Sequence, residues 1–220
     1  MLFRSSIITR MGGLCEVQIS AAVEALVTRN IEAALQVVAD DVRIDALEAE
    51  AEALAVRIIA LRAPLAGDLR EIVAALKIAG VLERMGDYAK NIAKRAGKLE
   101  GRRKIEPISL LPSMAKIATE MVHDVLNAYA ARDSALAVAV NERDKVVDDF
   151  YNSIFRTLVT YMYENPQSIG NAAHLLFVAK NLERVGDHAT NVAEMVYFAA
   201  TGDYMAERER GDPFEDEEGA

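Results

Sequence analysis

The sequence predicts an all-α protein: two tandem three-helix bundles related by an internal repeat. Three observations predict it. Gly (12 residues) and Pro (5) are scarce among 220 positions, Trp is absent and 52% of residues are apolar. That mix favours long helices over a turn-rich β fold. Apolar residues recur at helical spacing along most of the chain, as in Ile78, Leu82, Met85, Ala89, Ile92 and Ala96. A segment in the first half returns in the second with its central motif kept.

Six helices follow in order. The first covers about residues 7–28 and holds Cys15, which reads as a small buried filler because free cysteines are mostly buried. Asn30 can cap the second, which runs to about Arg62, just before Pro64. Asp68 can cap the third, which ends near Gly97. Residues 99–106 are charged and interrupted by Gly101, and they read as a linker. The fourth helix runs from about Ser109 to Ala131 with Pro112 in its first turn. Asp133 caps the fifth, which ends near Glu164. Pro166 or Ser168 opens the sixth, which ends near Ala200, before Gly202. The first repeat unit is thus residues 1–98 and the second 107–202, and the acidic residues 203–220 read as a disordered tail.

The repeat is specific. Residues 77–96 read KIAGVLERMGDYAKNIAKRA, and residues 177–196 read FVAKNLERVGDHATNVAEMV. At a shift of 100, Leu82-Glu83-Arg84 matches Leu182-Glu183-Arg184 and Gly86-Asp87 matches Gly186-Asp187. Ala89, Asn91 and Ala93 match in the same way. Upstream the match is looser and the shift is 103, pairing Arg29-Asn30 with Arg132-Asp133, and Asp41 and Asp45 with Asp144 and Asp148.

Within that repeat lies the candidate chemistry. Residues four apart on a helix sit about 40° apart around its axis, so Glu83, Asp87 and Asn91 share a face, as do Glu183, Asp187 and Asn191. That face is turned well away from the apolar stripe, which places the acids outside the bundle core or on a groove between long helices. Like charges at this spacing cost a few tenths of a kcal/mol, and a mid-helix glycine about 1 kcal/mol more. Both costs recur at Gly86 and Gly186. The second helix adds Asp41, Asp45, Glu48 and Glu52 on one face. The fifth adds Asp144 and Asp148, then replaces the next acids with Tyr151 and Phe155. Converging stripes of this kind suit hard or borderline cations such as Mg²⁺, Mn²⁺ or iron. One such pair alone is ordinary solvated surface; the duplication makes it a candidate. The competing reading is a packing device, with Arg84 and Arg184 paired to nearby acids and the glycines admitting a helix. Tyr161-Met162-Tyr163 reads as a helix-end packing cluster.

Composition excludes other classes. A formal net charge of −9 disfavours general nucleic-acid binding, which needs clustered Lys and Arg. A single cysteine cannot build an internal disulfide framework, which fits a reducing cytoplasm. The opening MLFRSSIITRMGG is broken by Arg4, Ser5, Ser6 and Arg10 and does not read as a signal peptide. No unbroken apolar run of about 18 residues marks a membrane span, so membrane association would run through a partner. No Glu-x-x-His pair supports a ferritin-like diiron site.

The ERMGDYAKNI and ERVGDHATNV segments resemble the PhoU family. MGGLCEVQIS, HDVLNAYAARD and DKVVDDFYNSIFRTLVTYMYENP extend the resemblance over most of the chain. Family members usually carry a longer first helix before the MGG stretch; here ten residues precede it. The resemblance implies two three-helix bundles side by side with pseudo-twofold symmetry. It implies metal held by Glu83 and Asp87 in one repeat and by Glu183 and Asp187 in the other. Asp41, Asp45, Asp144 and Asp148 are further candidates from the repeat alignment. It also implies a non-enzymatic, cytoplasmic negative regulator of phosphate uptake and the phosphate-starvation response. Such a protein links a phosphate ABC transporter ATPase subunit to a membrane sensor histidine kinase, lies peripheral to the membrane through those partners, and forms a homodimer. A carboxylate-bridged oxidase or phosphohydrolase, and a purely structural scaffold, are the competing expectations.

Overall fold

The structure, a computed structural model, describes residues 7–99 and 106–206. They form α1 (Ile7–Thr28), α2 (Ile31–Asp40), α3 (Val42–Arg62), α4 (Ala66–Ala96), α5 (Leu111–Ala131), α6 (Ser134–Glu164) and α7 (Ile169–Thr201), with 3₁₀ turns at Glu106–Leu110 and Pro166–Ser168. No strand occurs among the described residues. Most of the expected linker and acidic tail falls at 100–105 and 207–220, and the opening MLFRSS at 1–6, outside the described residues.

Three elements differ from the sequence reading. The expected second helix is divided at Asp41. Its backbone stays helical, but its carbonyl accepts from Ile44 N at 2.8 Å, a tightened i+3 turn, as well as from Asp45 N at 3.3 Å. The side chain of Asp41 is turned inward there, and the ladder gives way around it. Asp68 does not cap α4; the helix starts at Ala66 and Asp68 sits in its first turn, where a carboxylate still favours the positive end of the helix dipole. In the cluster at the end of α6, Tyr161 and Met162 pack on the core but Tyr163 is exposed.

The expected caps after the first long helix of each repeat are present. Asn30 accepts from Ala33 N, and Asp133 accepts from Ala135 N and Leu136 N. The residues before them, Arg29 (φ 55°) and Arg132 (φ 59°), both adopt the left-handed conformation. Asn30 N then reaches Ala25 O, and Asp133 N reaches Ala128 O, each at 2.9 Å. The same reversal is used twice.

The helices form two layers. α3, α4, α7 and α6 lie side by side in one, with α4 and α7 in contact at the centre. α1 and α5 back this layer and touch each other, and α2 packs on α1 and α4. α4 and α7 run antiparallel: Tyr88 meets His188, and Arg95 near the end of α4 stacks 3.8 Å over Phe177 near the start of α7. α1 and α5 are antiparallel too, with Gly12 against Leu126 and Glu16 against His123. Contact between equivalent residues 88 and 188 puts a pseudo-twofold axis between the two repeats. One continuous core joins them, running from Met11, Cys15 and Ile19 through Leu82 and Met85 to Met121, Leu182 and Val185.

α1 is long and apolar enough, by length and composition, to cross a membrane, with 50% of that window buried inside the protein. Met11, Cys15, Ile19, Ala22 and Leu26 are its buried face. Cys15 is the expected filler; its Sγ donates to Leu82 O at 3.1 Å, and burial pushes the thiol far up from its ordinary range.

Gly86 and Gly186 test how tightly the layers close. A Cβ on Gly186 would lie 2.9 Å from Asp144 Oδ1 and 3.3 Å from Val147 Cγ1. A Cβ on Gly13, on the outer side of α1, would meet nothing within 4 Å. Gly186→Ala is expected to destabilise by about 1–3 kcal/mol through overpacking, whereas Gly13→Ala stabilises by up to about 1 kcal/mol. Urea unfolding midpoints check both signs.

Candidate functional site

The acid stripes of α4 and α7 lie on the side of those helices turned away from α1 and α5. On α4 the residues 78, 82, 85 and 89 are buried in the core, and Glu83 and Asp87 are half-buried on the opposite side. α3 flanks them. Asp45 is exposed, Glu48 is half-buried and Glu52 is exposed.

The repeat alignment places the deep acids correctly but not their setting. Asp41 and Asp144 are each only 3% exposed, so they do not belong to an outer stripe. They are buried over the two repeated glycines: Asp41 Oδ1 would stand 3.3 Å from a Cβ on Gly86, and Asp144 Oδ1 2.9 Å from one on Gly186. An aliphatic residue three positions on completes each contact, Ile44 over Gly86 and Val147 over Gly186. The glycine of each ERxGD motif therefore receives a carboxylate and an aliphatic group from the neighbouring rod. A methyl group there would occupy their space.

A buried carboxylate needs a partner. In the first repeat it is Lys90, whose Nζ lies 2.5 Å from Asp41 Oδ2 and 3.1 Å from Asp87 Oδ1. The hydrogen bond that Lys90 donates to Asp41 is the largest cause that holds this ammonium above the usual lysine range. Gln18 of α1 reaches the same nook; it is 4% exposed, and neither its amide nitrogen nor its oxygen has a protein partner. Lys90 and Gln18 were missed from sequence. Lys90 had a signal, since its counterpart Thr190 carries no charge where the flanking motif repeats; Gln18 had none.

Above this nook, burial pushes the Glu83 carboxyl up from its ordinary range, and Asp87, Glu48, Asp45 and Asp41 push it further. Glu48 is raised as well, by burial and then by Glu52 and Asp45, with Arg84 opposing. The first-repeat acids thus share one electrostatic field.

The second repeat arranges its charges differently. Lys180 Nζ lies 2.5 Å from Glu183 and 5.2 Å from the centre of the Tyr151 ring. In the first repeat the equivalent positions are Gly80 and Glu48, themselves neighbours. Burial raises the Glu183 carboxyl, with Lys180 opposing and with Asp187 and Asp148 adding to the rise. Thr190 turns its hydroxyl to the Asp187 carbonyl at 2.7 Å. Among the described residues, no three Asp, Glu, His or Cys side chains stand converged as a ready metal cluster.

Between the patches lies an unforeseen centre. Tyr88 and His188, equivalent in the repeat, meet edge-on with ring centroids 5.2 Å apart and a 3.3 Å contact between Oη and Nε2. The Arg184 guanidinium lies 5.9 Å from the Tyr88 ring centre. Burial lowers the His188 pKa, and Arg84 and Arg184 lower it further against Asp187.

Comparison with known proteins gives one consistent result. A family model described as the PhoU domain matches residues 8–96 and again residues 111–196. A protein of Zymomonas mobilis named phosphate-specific transport system accessory protein PhoU homolog is 57% identical over 206 residues, covering 94% of this chain and 87% of its own. A Caulobacter vibrioides protein of the same name is 49% identical, over 90% of this chain and 86% of its own. The crystal structure of PhoU from Pseudomonas aeruginosa superposes with a TM-score of 0.83 at 38% identity, over 90% of this chain and 95% of that one. The phosphate transport system regulatory protein PhoU from Streptococcus pneumoniae gives 0.85 at 27% identity, over 92% and 95%.

The raised carboxyls set a pH dependence. Glu48, Glu83 and Glu183 hold a proton more readily in the folded chain than in the unfolded one. Their contribution to stability is therefore fully present below the ordinary carboxylate range and is lost as pH climbs through the raised values. Glu83→Gln is expected to stabilise the protein at neutral pH by a few tenths of a kcal/mol. The advantage should vanish below about pH 4. Urea midpoints of the two proteins, compared across that range, read it directly.

Proposed function

The chain belongs to the PhoU family, and we propose that it is a negative regulator of phosphate uptake and of the phosphate-starvation response. In this reading it is a cytoplasmic helical adaptor between the ATPase subunit of a phosphate ABC transporter and a membrane sensor histidine kinase. The observation that carries it is the family match in both halves, residues 8–96 and 111–196, with relatives named as accessory and regulatory proteins of phosphate transport. Those names describe a regulator rather than a catalyst. A homodimer, formed through helical surface left exposed, belongs to the same reading.

The chemistry of the broad face supports an adaptor that also takes up metal ions. Its donors are all carboxylate oxygens, which suit Mg²⁺, Mn²⁺ or iron. Glu83 and Asp87 would hold an ion in the first repeat, and Glu183 and Asp187 in the second, with Asp45 and Asp148 beside them. Asp41 and Asp144 would join only from beneath, since both are buried. In the first repeat the ion competes with the ammonium of Lys90 for Asp87. An ion there would relieve the repulsion from neighbouring acids that adds to the effect of burial on Glu83.

Deleting the gene is expected to leave phosphate-response genes active in phosphate-rich medium, read by a reporter; normal repression would sink the regulatory reading. Calorimetric titration with Mn²⁺ tests the metal reading separately. Glu83→Gln with Asp87→Asn, and Glu183→Gln with Asp187→Asn, should each remove about half of the bound metal. Uptake unchanged in both variants would end it.

A further inference from the structure

The acid stripes continue into apolar ones. Eighteen residues make about five helical turns, so Leu69 points the same way from α4 as Asp87, with Leu65 in extended backbone just ahead of the helix. On α3 the stripe of Asp45, Glu48 and Glu52 runs on to Val56 and Ile59. At the α3–α4 turn these side chains are uncovered: Leu65 is 81% exposed and Val56 65%. The second repeat does the same. Ile169 points as Asp187 does, and the α6 stripe runs from Asp148 to Phe155, with Ile169 and Phe155 both exposed.

These two apolar tips lie far apart on one face. α4 and α7 are antiparallel and cross near residues 86 and 186, as the Tyr88–Arg184 and Arg95–Phe177 contacts require. At about 1.5 Å per residue, Leu69 and Ile169 stand about 25 Å from the pseudo-twofold axis on either side, about 50 Å from each other. A twofold rotation keeps equivalent residues at one level along its axis, so both tips face the side that carries the acid patches. Each tip is thus an apolar patch with carboxylates between it and the axis.

We propose that this face docks a homodimeric protein whose own twofold axis coincides with the pseudo-twofold, one chain per partner dimer. Each partner subunit sets the same apolar element on one tip and basic side chains over the adjoining carboxylates. Two observations favour this partner. The acids on the inner flank of each tip call for a basic counter-surface, which a second copy of this face does not offer. The tips are equivalent in place, and a symmetric dimer offers the same element twice, whereas a single-copy partner would fill one. The inference rests on the adaptor reading above and deepens it.

Size-exclusion chromatography with light scattering, using the full chain and the dimeric transporter ATPase subunit, tests it. The expected complex holds one chain per dimer. Leu69→Asp and Ile169→Asp should each weaken binding at least about tenfold, because two linked contacts become one. The double variant should lose binding. Val17→Asp, on the exposed outer side of α1, should change nothing. Unchanged unfolding midpoints would show that the folds are intact. Two chains per dimer, binding indifferent to both tips, or self-association lost through the same substitutions would each overturn the inference while leaving the adaptor reading standing. No binding of that dimer by the unaltered chain would overturn both.

Discussion

The arrangement depends on one repeated contact: a buried carboxylate from an outer rod seated against the bare backbone of a glycine in a long central helix. Asp41 on Gly86 and Asp144 on Gly186 fix how α3 lies on α4 and how α6 lies on α7. Neither half of the contact is cheap alone. The glycine weakens its helix, and the buried carboxylate must be desolvated. Together they bring the outer rod close enough for Ile44 and Val147 to pack, and they set the level at which the outer acids stand beside Glu83 and Glu183. Move the glycine by one residue and the two stripes no longer face the same groove.

Much of this was legible in the sequence, for a physical reason. Long amphipathic helices declare their length and buried side through a 3.6-residue period, and a duplicated domain declares itself twice. The caps at Asn30 and Asp133 were readable because a side-chain oxygen three residues from a free N–H is a local event. What failed was tertiary. The division at Asp41 arises from a side chain drawn inward to Lys90, which local propensity does not register. Asp41 and Asp144 read as outer acids because a helical wheel knows one helix at a time, while their burial belongs to the rod packed across them. The two glycines were recognised as close-approach positions, but what approaches them is a carboxylate and an aliphatic side chain. The Tyr88–His188 contact was hidden because sequence alignment finds equivalent residues, and only the position of the axis says which of them touch.

The two repeats share shape but not charge. In the first, the ammonium of Lys90 sits at the Asp87 end of the stripe, and Gly80 leaves room for Glu48 at the other. In the second, Lys180 sits at the Glu183 end, held over Tyr151, while Thr190 spends its hydroxyl on the backbone. Each change is matched by its neighbour: a lysine on α7 comes with an aromatic ring on α6, and a glycine on α4 with a carboxylate on α3. The packing of the repeat has been kept while its ammonium moved from one end of the stripe to the other.

This divergence bears on how the broad face can be recognised. Its long central helices and glycine contacts obey the twofold, so a partner that reads apolar shape meets two equivalent ends. The charges do not obey it. Rotation about the axis brings the Lys90 end of one patch onto a place where the other patch has Thr190, and the Lys180 end onto a place with Gly80. The central cluster breaks the symmetry again, with Tyr88 facing His188 across the axis. A histidine carries its proton only when its surroundings allow, and burial, with Arg84 and Arg184 nearby, disfavours it here. A ligand that reads charge therefore meets two different arrangements on a frame whose shape repeats. In the adaptor proposed above, that difference would give the protein a direction, because its two halves would present different charges to the same symmetric surface.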